Sequence, residues 1–269
     1  LNSVYMFHLI RLVTHNVLTR IALVTFVGFT VGILIGRTFV LTCSKKFVFI
    51  KKPQSVEDTI RPFIFIGGHE SSGTGLMRIK MDAHPWIRCG AEPMISLKVL
   101  SLWRKFAVEQ RDRSTEIGIY PHALNNATRS YISETIEHMG PDAKILCHKQ
   151  PSTFLYLPIL GKLFPKAKFI HMIRDGRGAV ASSMNRHLLS KRNHLGALLK
   201  WQKQVAKIID ECKILGRHRC IEVRYESLIL RTEEELRRVL AFVNAPWDPV
   251  VLHHELLKEN LTGLNTSRV

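Results

Sequence analysis

Phe63-Ile-Phe-Ile-Gly-Gly-His-Glu-Ser-Ser-Gly-Thr-Gly-Leu-Met-Arg78 decides the fold. Phe63 to Gly67 has the length and aromatic content of a buried strand. A Gly/Ser turn follows, then a helical stretch from Gly75 to Met81. In that order, backbone N–H groups and the positive helix end can cradle a phosphate. Gly68 and Gly73 have P-loop spacing, but the lysine that holds the outer phosphates of a nucleoside triphosphate is missing. Thr74 and Gly75 stand there instead. That argues against an ordinary nucleotide kinase or ATPase. A glycine-rich turn with no ligand is the plainer alternative.

A second strand, turn and helix unit runs Lys168-Phe-Ile-His-Met-Ile-Arg-Asp-Gly-Arg-Gly-Ala-Val-Ala-Ser-Ser183. Arg174 stands at the strand's end, where open α/β sheets bind ligands. Ser182 lies about two turns into the next helix, and Arg186 follows one turn later on the same face. Such an Arg/Ser/Arg set can hold a second phosphate. The competing reading is an Arg174–Asp175 surface pair with a solvated helix face. Further strands are expected at Lys144–Cys147 and Cys220–Arg224, with helices over 94–108, 123–139, 177–190 and 195–215. Thr232-Glu-Glu-Glu235 has capping-box spacing and predicts another helix start. Strands alternating with helices imply an α/β fold, a parallel sheet covered on both faces.

The 269 residues are 46% hydrophobic and 23% charged, which excludes a disordered or collagen-like chain. Lys plus Arg is 39 against 22 for Asp plus Glu, a formal charge of +17. Residues 1–61 hold 8 basic and 2 acidic side chains, so most of the excess lies in the globular part. An anionic partner is implied without being chosen: nucleic acid, headgroups, a phosphorylated cofactor or an acidic polypeptide.

The segment from Ile21 to Gly36 is uncharged, and up to Cys43 it carries only Arg37, which can snorkel to a membrane surface. A retained anchor over 21–43 is expected, preceded by a short tail (1–20) and followed by a Lys-rich stem (44–62) and the domain (63–269). A cleaved signal peptide or a buried helix is the alternative, but no A-x-A pattern follows. Lys45, Lys46, Lys51, Lys52 and Arg61 lie after the span, which read alone would place the carboxyl side in the cytoplasm.

Phe65-Ile-Gly-Gly, Ser72-Gly-Thr, Leu76-Met-Arg, Asp82-Ala-His-Pro and Arg88-Cys-Gly together resemble the tyrosylprotein sulfotransferases. The likeness continues through Cys147-His-Lys-Gln-Pro, Phe164-Pro-Lys-Ala-Lys-Phe, Ile173-Arg-Asp-Gly-Arg, Tyr225-Glu and Val251-Leu-His-His-Glu, and so covers about residues 61–257. It implies a P-loop-like sulfotransferase fold behind a type II anchor in the Golgi, with 3′-phosphoadenylyl sulfate (PAPS) as donor and tyrosine in acidic polypeptides as acceptor. By the same resemblance Ser71, Ser72, Gly73, Thr74 and Gly75 surround the 5′-phosphosulfate. Arg174, Ser182 and Arg186 hold the 3′-phosphate side, with Tyr225 near the nucleotide. Glu92 matches the general base and Lys149 the cation that steadies the transferring group; Met94, Ile95, Ser96, Leu97 and Lys98 match the peptide-facing segment. The roles make chemical sense, because a tyrosine hydroxyl with a pKa of about 10 needs a carboxylate to take its proton. Without the resemblance, Glu92 reads as a helix-start carboxylate and Lys149 as a solvated charge. No metal is required by this scheme, and no metal-ligand spacing is seen.

The pattern breaks in places. The family has Arg at Ser71, a second Thr at Gly75, an acid at Ala91, Arg at Met94 and Asp at Gln150. It also continues past Val269 with a Ser-containing loop and a Lys that close over the cofactor. A catalytically weak or inactive membrane-anchored relative that binds cofactor, peptide or an active partner is therefore the alternative reading.

The resemblance implies disulfides Cys89–Cys147 and Cys212–Cys220 in an oxidising compartment; reduced buried thiols would fit the cytosol. Cys43 is left over. Asn126, Asn260 and Asn265 head glycosylation sequons. These features outweigh the stem lysines and place residues beyond about 44 in the Golgi lumen, attached to the Golgi membrane. A homodimer is implied by the resemblance alone, and a luminal site removes nucleic acid as a partner. A carbohydrate sulfotransferase is the third reading, against which the Arg88–Glu92 stretch and the cysteine set speak.

Overall fold

The computed structural model describes residues 61–189 and 193–257. The span expected over 21–43 and the stem up to residue 60 lie outside the described residues, as do Asn260 and Asn265. No helix among the described residues is long and apolar enough to cross a membrane.

Among the described residues five strands form one parallel sheet: β1 (Phe63–Gly68), β2 (Ile87–Arg88), β3 (Ile145–Lys149), β4 (Lys168–Ile173) and β5 (Cys220–Arg224), in the order β2-β3-β1-β4-β5. Every residue of β1 is buried, as expected of a central strand covered on both faces. Its side chains alternate. Phe63 and Phe65 join Leu146 and Phe169 in one core, while Ile64 and Ile66 join Cys147, Ile170 and Met172 in the other.

Helices close both faces. The Phe65 side is covered by α4 (Leu124–Glu137), α5 (Leu157–Leu163) and α7 (His194–Leu215), through Ile132, Ile136, Leu160 and Ile208. The other side is covered by α1 (Thr74–Asp82) and α9 (Thr232–Phe242), through Met77, Met81, Leu236 and Val239. The remaining helices are α2 (Ser96–Arg104), α3 (Arg111–Glu116), α6 (Gly176–Asn185) and α8 (Tyr225–Leu230).

The strands expected at 63–67, 144–147, 168–173 and 220–224 all form, within a residue or two. β2 was not expected. Two residues show no period, and only pairing with β3 makes them a strand. The helix expected over 94–108 is regular from Ser96 to Arg104 and then widens into a π turn, Lys105–Glu109. The capping-box reading of Thr232 is corrected. Arg231 is the N-cap of α9, and the Thr232 hydroxyl donates back to the Leu228 carbonyl at 2.8 Å. The reason is that α8 runs almost directly into α9, so the hydroxyl meets an open carbonyl before any open N–H.

Alternation also turns His148 of β3 and His171 of β4 onto the Phe65 side. The His148 ring lies 5.5 Å from Phe65 and that of His171 lies 6.1 Å from Phe154. His148 shares a hydrogen bond with the Ser96 hydroxyl at 2.9 Å, whereas among the described residues neither ring nitrogen of His171 has a partner. Burial pushes both imidazoles down to about 4, helped at His148 by the neighbouring Lys149 charge. An unfolded histidine titrates near 6.5. Between those values the unfolded chain takes up protons that the fold refuses, so this stability is complete above about pH 6.5 and is lost as pH falls toward 4. Guanidinium unfolding midpoints should therefore drop between pH 7 and pH 4.5, and the drop should be shallower in His171→Leu.

Candidate active site

Strand order reverses at β1, because the chain goes to β2 and β3 on one side and to β4 and β5 on the other. The crevice beyond the carboxyl ends of such strands is where open α/β sheets bind ligands. Pairing of Ile66 with Lys149 and of Gly68 with Met172 brings three segments to this edge together. They are the loop after β1, Lys149 at the end of β3, and Arg174 just past β4.

The loop is shaped by two glycines. Gly68 (φ 144°) lies so close to β4 that a Cβ there would stand 2.4 Å from the Met172 carbonyl oxygen. Gly73 (φ 96°) precedes α1 in the left-handed region, and a Cβ on it would strike the Tyr225 ring at 2.4 Å. The first N–H groups of α1 then point out of the helix with no helical acceptor. Among the described residues Ser72, 1% exposed, has no partner for its hydroxyl. A buried polar loop with unmet donors fits an oxyanion group.

Ser71 (φ 60°) is held from three directions. Arg174 Nη1 donates to its carbonyl at 3.2 Å, while the Ser183 hydroxyl and Arg186 Nη1 donate to its Oγ at 2.9 and 3.4 Å. Arg174 also lies over the Tyr225 ring, 4.4 Å from its centroid. Arg174, Arg186, Tyr225 and the loop thus converge as one wall. Ser182 is half-buried on α6 beside them, and its carbonyl accepts from the Arg186 N–H. Ser183, which sequence reasoning passed over, is fully buried and makes the contact to Ser71. Adjacent serines on a helix differ by about 100° in facing, and only the packing of α6 says which one turns inward. Asp175 pairs with Arg177 rather than with Arg174, and it caps α6 through the Arg177 N–H at 2.9 Å. The Arg177 bonds hold its carboxyl down at about 2.

Across the crevice Lys149 Nζ donates to Glu92 Oε2. The two residues are 57 apart in sequence. Their segments are joined two residues before Lys149, by the disulfide Cys89–Cys147; the second disulfide is Cys212–Cys220. The Glu92 segment is gripped a second time by α1. Arg78 Nη1 donates to the Gly90 carbonyl at 2.8 Å, Asp82 Oδ1 accepts from the Cys89 N–H at 2.7 Å, and the two side chains lie 3.8 Å apart. Burial lowers the Arg78 pKa, opposed by the charges of Asp82 and Glu92. One helix therefore carries the phosphate-type loop at its start and holds the Glu92 segment at its end.

Of the segment 94–98, Met94 and Lys98 are exposed. Ser96 is buried against His148, Ile95 is half-buried, and Leu97 packs on the core. Asn126 is exposed on the first turn of α4, where Arg129 donates to it at 3.4 Å. Among the described residues no His, Cys, Asp and Glu group is placed to hold a metal ion.

The parallel sheet with a glycine loop after its central strand, lacking the P-loop lysine, is the architecture of a sulfotransferase domain. The sulfotransferase domain of the Synechococcus PCC 7002 olefin synthase superimposes with a TM-score of 0.50 at 21% identity, covering 72% of this chain and 76% of that one. That of the curacin biosynthetic pathway gives 0.53 at 17% identity, covering 72% and 78%. The Sulfotransferase family profile matches residues 62–249. Protein-tyrosine sulfotransferase A of Caenorhabditis elegans is 39% identical over 215 residues, covering 77% of this chain and 56% of its own length. Protein-tyrosine sulfotransferase 2 of Gallus gallus is 38% identical, with 77% and 58% covered. A putative protein-tyrosine sulfotransferase of Caenorhabditis briggsae is 36% identical, with 72% and 69% covered. The chain belongs to the sulfotransferase family, in its protein-tyrosine branch. It spans 56–60% of the length of the first three curated relatives.

The glycine geometry makes a paired prediction. Gly73→Ala should destabilise the fold by about 1–3 kcal/mol, through the strained φ and the clash with Tyr225. Gly75→Ala, whose Cβ would meet nothing within 4 Å, should be neutral or slightly stabilising. Chemical denaturation of the two variants checks both.

Proposed function

We propose that this chain transfers sulfate from PAPS to the hydroxyl of tyrosine in acidic polypeptide segments. The observation that carries the reading is the direct contact of Glu92 with Lys149 beside the glycine loop. Two residues distant in sequence meet where a base and a cation are both needed. PAPS supplies an activated sulfuryl group when bound. The loop from Ser71 to Gly75 would hold its phosphosulfate through backbone N–H groups and the Ser72 hydroxyl. Arg174, Ser182 and Arg186 would take the 3′-phosphate, with Tyr225 beside the nucleotide. Glu92 accepts the phenolic proton as the tyrosine oxygen reacts. Lys149, released from Glu92, offsets charge that builds on the leaving oxygen. Met94 and Lys98, exposed at the start of α2, would face the peptide.

The two disulfides support a luminal, oxidising compartment. With the apolar segment 21–43, they favour a type II protein of the Golgi membrane. A homodimer is part of the same reading.

Incubating the full chain with radiolabelled PAPS and an acidic tyrosine peptide tests this. Transfer should occur and should fall about 10²–10⁴-fold in Glu92→Gln. A folded chain that binds adenosine 3′,5′-bisphosphate but transfers nothing would overturn it in favour of a binding-only relative. The engagement of Ser71 by Ser183 and Arg186 is the feature that favours that second reading. Ser71 stands where the family's transition-state Arg is expected, and one such donor is worth about 10²–10³ in rate. Ser71→Arg should accordingly raise kcat, by up to about that factor, in the same assay.

A further inference from the structure

A cavity of about 280 Å³ opens at the edge of the sheet opposite the glycine loop. The first residues of β1, β3 and β4 (Phe63, Ile145 and Lys168) line it, together with the Trp86 indole, Lys144 and Lys166. Its inner wall is apolar and aromatic, and three lysines line it. Among the described residues no carboxylate lines it. The acid nearest in sequence to Lys144, Asp142, is engaged by Arg61 at 2.8 Å.

Two of the lysines are held by neutral groups. Lys144 Nζ sits 3.6 Å from the centre of the Trp86 ring. Lys168 Nζ donates to the His218 carbonyl at 2.6 Å and lies 4.9 Å from the centre of the Phe242 ring. Lys166 is exposed. Aromatic faces and a carbonyl fix the positions of these cations but do not neutralise them. Lysine charges with no ion-pair partner among the described residues repel each other across one apolar cavity, and an anion among them would relieve that repulsion. A carboxylate on a short flexible stem would use only the charges. An aromatic ring carrying an anionic ester would use both parts, the ring against the apolar wall and the ester oxygens on the lysines.

We propose that this cavity binds an aryl monoester anion, namely an O-sulfated tyrosine side chain of a polypeptide. The identity of the anion rests on the proposed sulfate transfer, which makes that residue. The six residues of β1 put the cavity about 17 Å from the glycine loop. A polypeptide path around the surface needs about ten extended residues. A substrate with several tyrosines can then keep one finished sulfotyrosine in the cavity while another tyrosine reaches Glu92. Tethering raises the local concentration of the second acceptor.

The test uses the full chain and four labelled peptides of one sequence, carrying sulfotyrosine, phosphotyrosine, tyrosine or glutamate at one position and no other tyrosine. Fluorescence anisotropy is read with the cofactor site filled by adenosine 3′,5′-bisphosphate. The sulfotyrosine peptide should bind at least tenfold tighter than the tyrosine and glutamate peptides. The exposed-site variant Lys144→Glu/Lys166→Glu should lose at least tenfold, while Glu92→Gln should not. Equal binding by wild type and the double lysine variant overturns the proposal. Preference for phosphotyrosine overturns the assignment to sulfate, and equal binding of the glutamate peptide overturns the aryl requirement. A single-tyrosine acidic peptide separates this from the transfer reading: its kcat/KM should be unchanged in the double lysine variant. The second transfer on a two-tyrosine peptide should slow at least threefold. Absence of all transfer with sulfotyrosine binding intact would defeat only the transfer reading.

Discussion

The register of β1 between β3 and β4 is the constraint on which the site depends. With Ile66 opposite Lys149 and Gly68 opposite Met172, three chain segments leave the sheet at one edge. A slip of one residue in either pairing would turn the flanking strand's side chains to the other face. The phenylalanines of the two strands would then leave their core, and Lys149 would no longer point toward Glu92. The two cores enforce the register, because each accepts only its own alternate set of side chains. The bare Cα of Gly68 lets the loop begin within reach of β4.

Helix α1 couples the two halves of the site. Its first turn presents open N–H groups, and its second half holds Cys89 and Gly90 through Asp82 and Arg78. The Cys89–Cys147 bridge then ties that segment to β3. It closes a loop of 58 residues, and in the chain-entropy account that is worth about 4 kcal/mol. Glu92 is thus fixed from below by a covalent bond and from the side by a buried ion pair, although it sits outside any regular element.

The positive charge of the domain has two distributions. At the carboxyl edge Arg174 and Arg186 are turned onto Ser71, a neutral residue, so their charge remains available to an anion. At the opposite edge Lys144 and Lys168 rest on aromatic rings and a carbonyl. Carboxylates are mostly spent elsewhere, in pairs such as the exposed Arg237–Glu233 and the half-buried Arg238–Glu235. A basic composition alone would say only that some anion is bound. The arrangement says where the cations have no counter-charge.

What the sequence determined by itself was local. The apolar runs of β1, β4 and β5, the glycine loop after β1, and Arg174 at a strand end were all legible. Each is set by residues within a few positions of one another. The position of Lys149 at the end of β3 and of Glu92 near it came from resemblance, since neither residue has a local signal for its place. Tertiary structure alone decided that two-residue β2 is a strand, that Ser183 and not Ser182 meets Ser71, and that Ser96 turns inward to His148. It also decided that Arg78 grips Gly90 and that three scattered lysines share a cavity with Trp86. The physical reason is the same in each case. Periodicity and turn chemistry act over a few residues, whereas these contacts depend on strand register and on how far each helix is rotated about its axis. Burial of the whole apolar surface at once sets both.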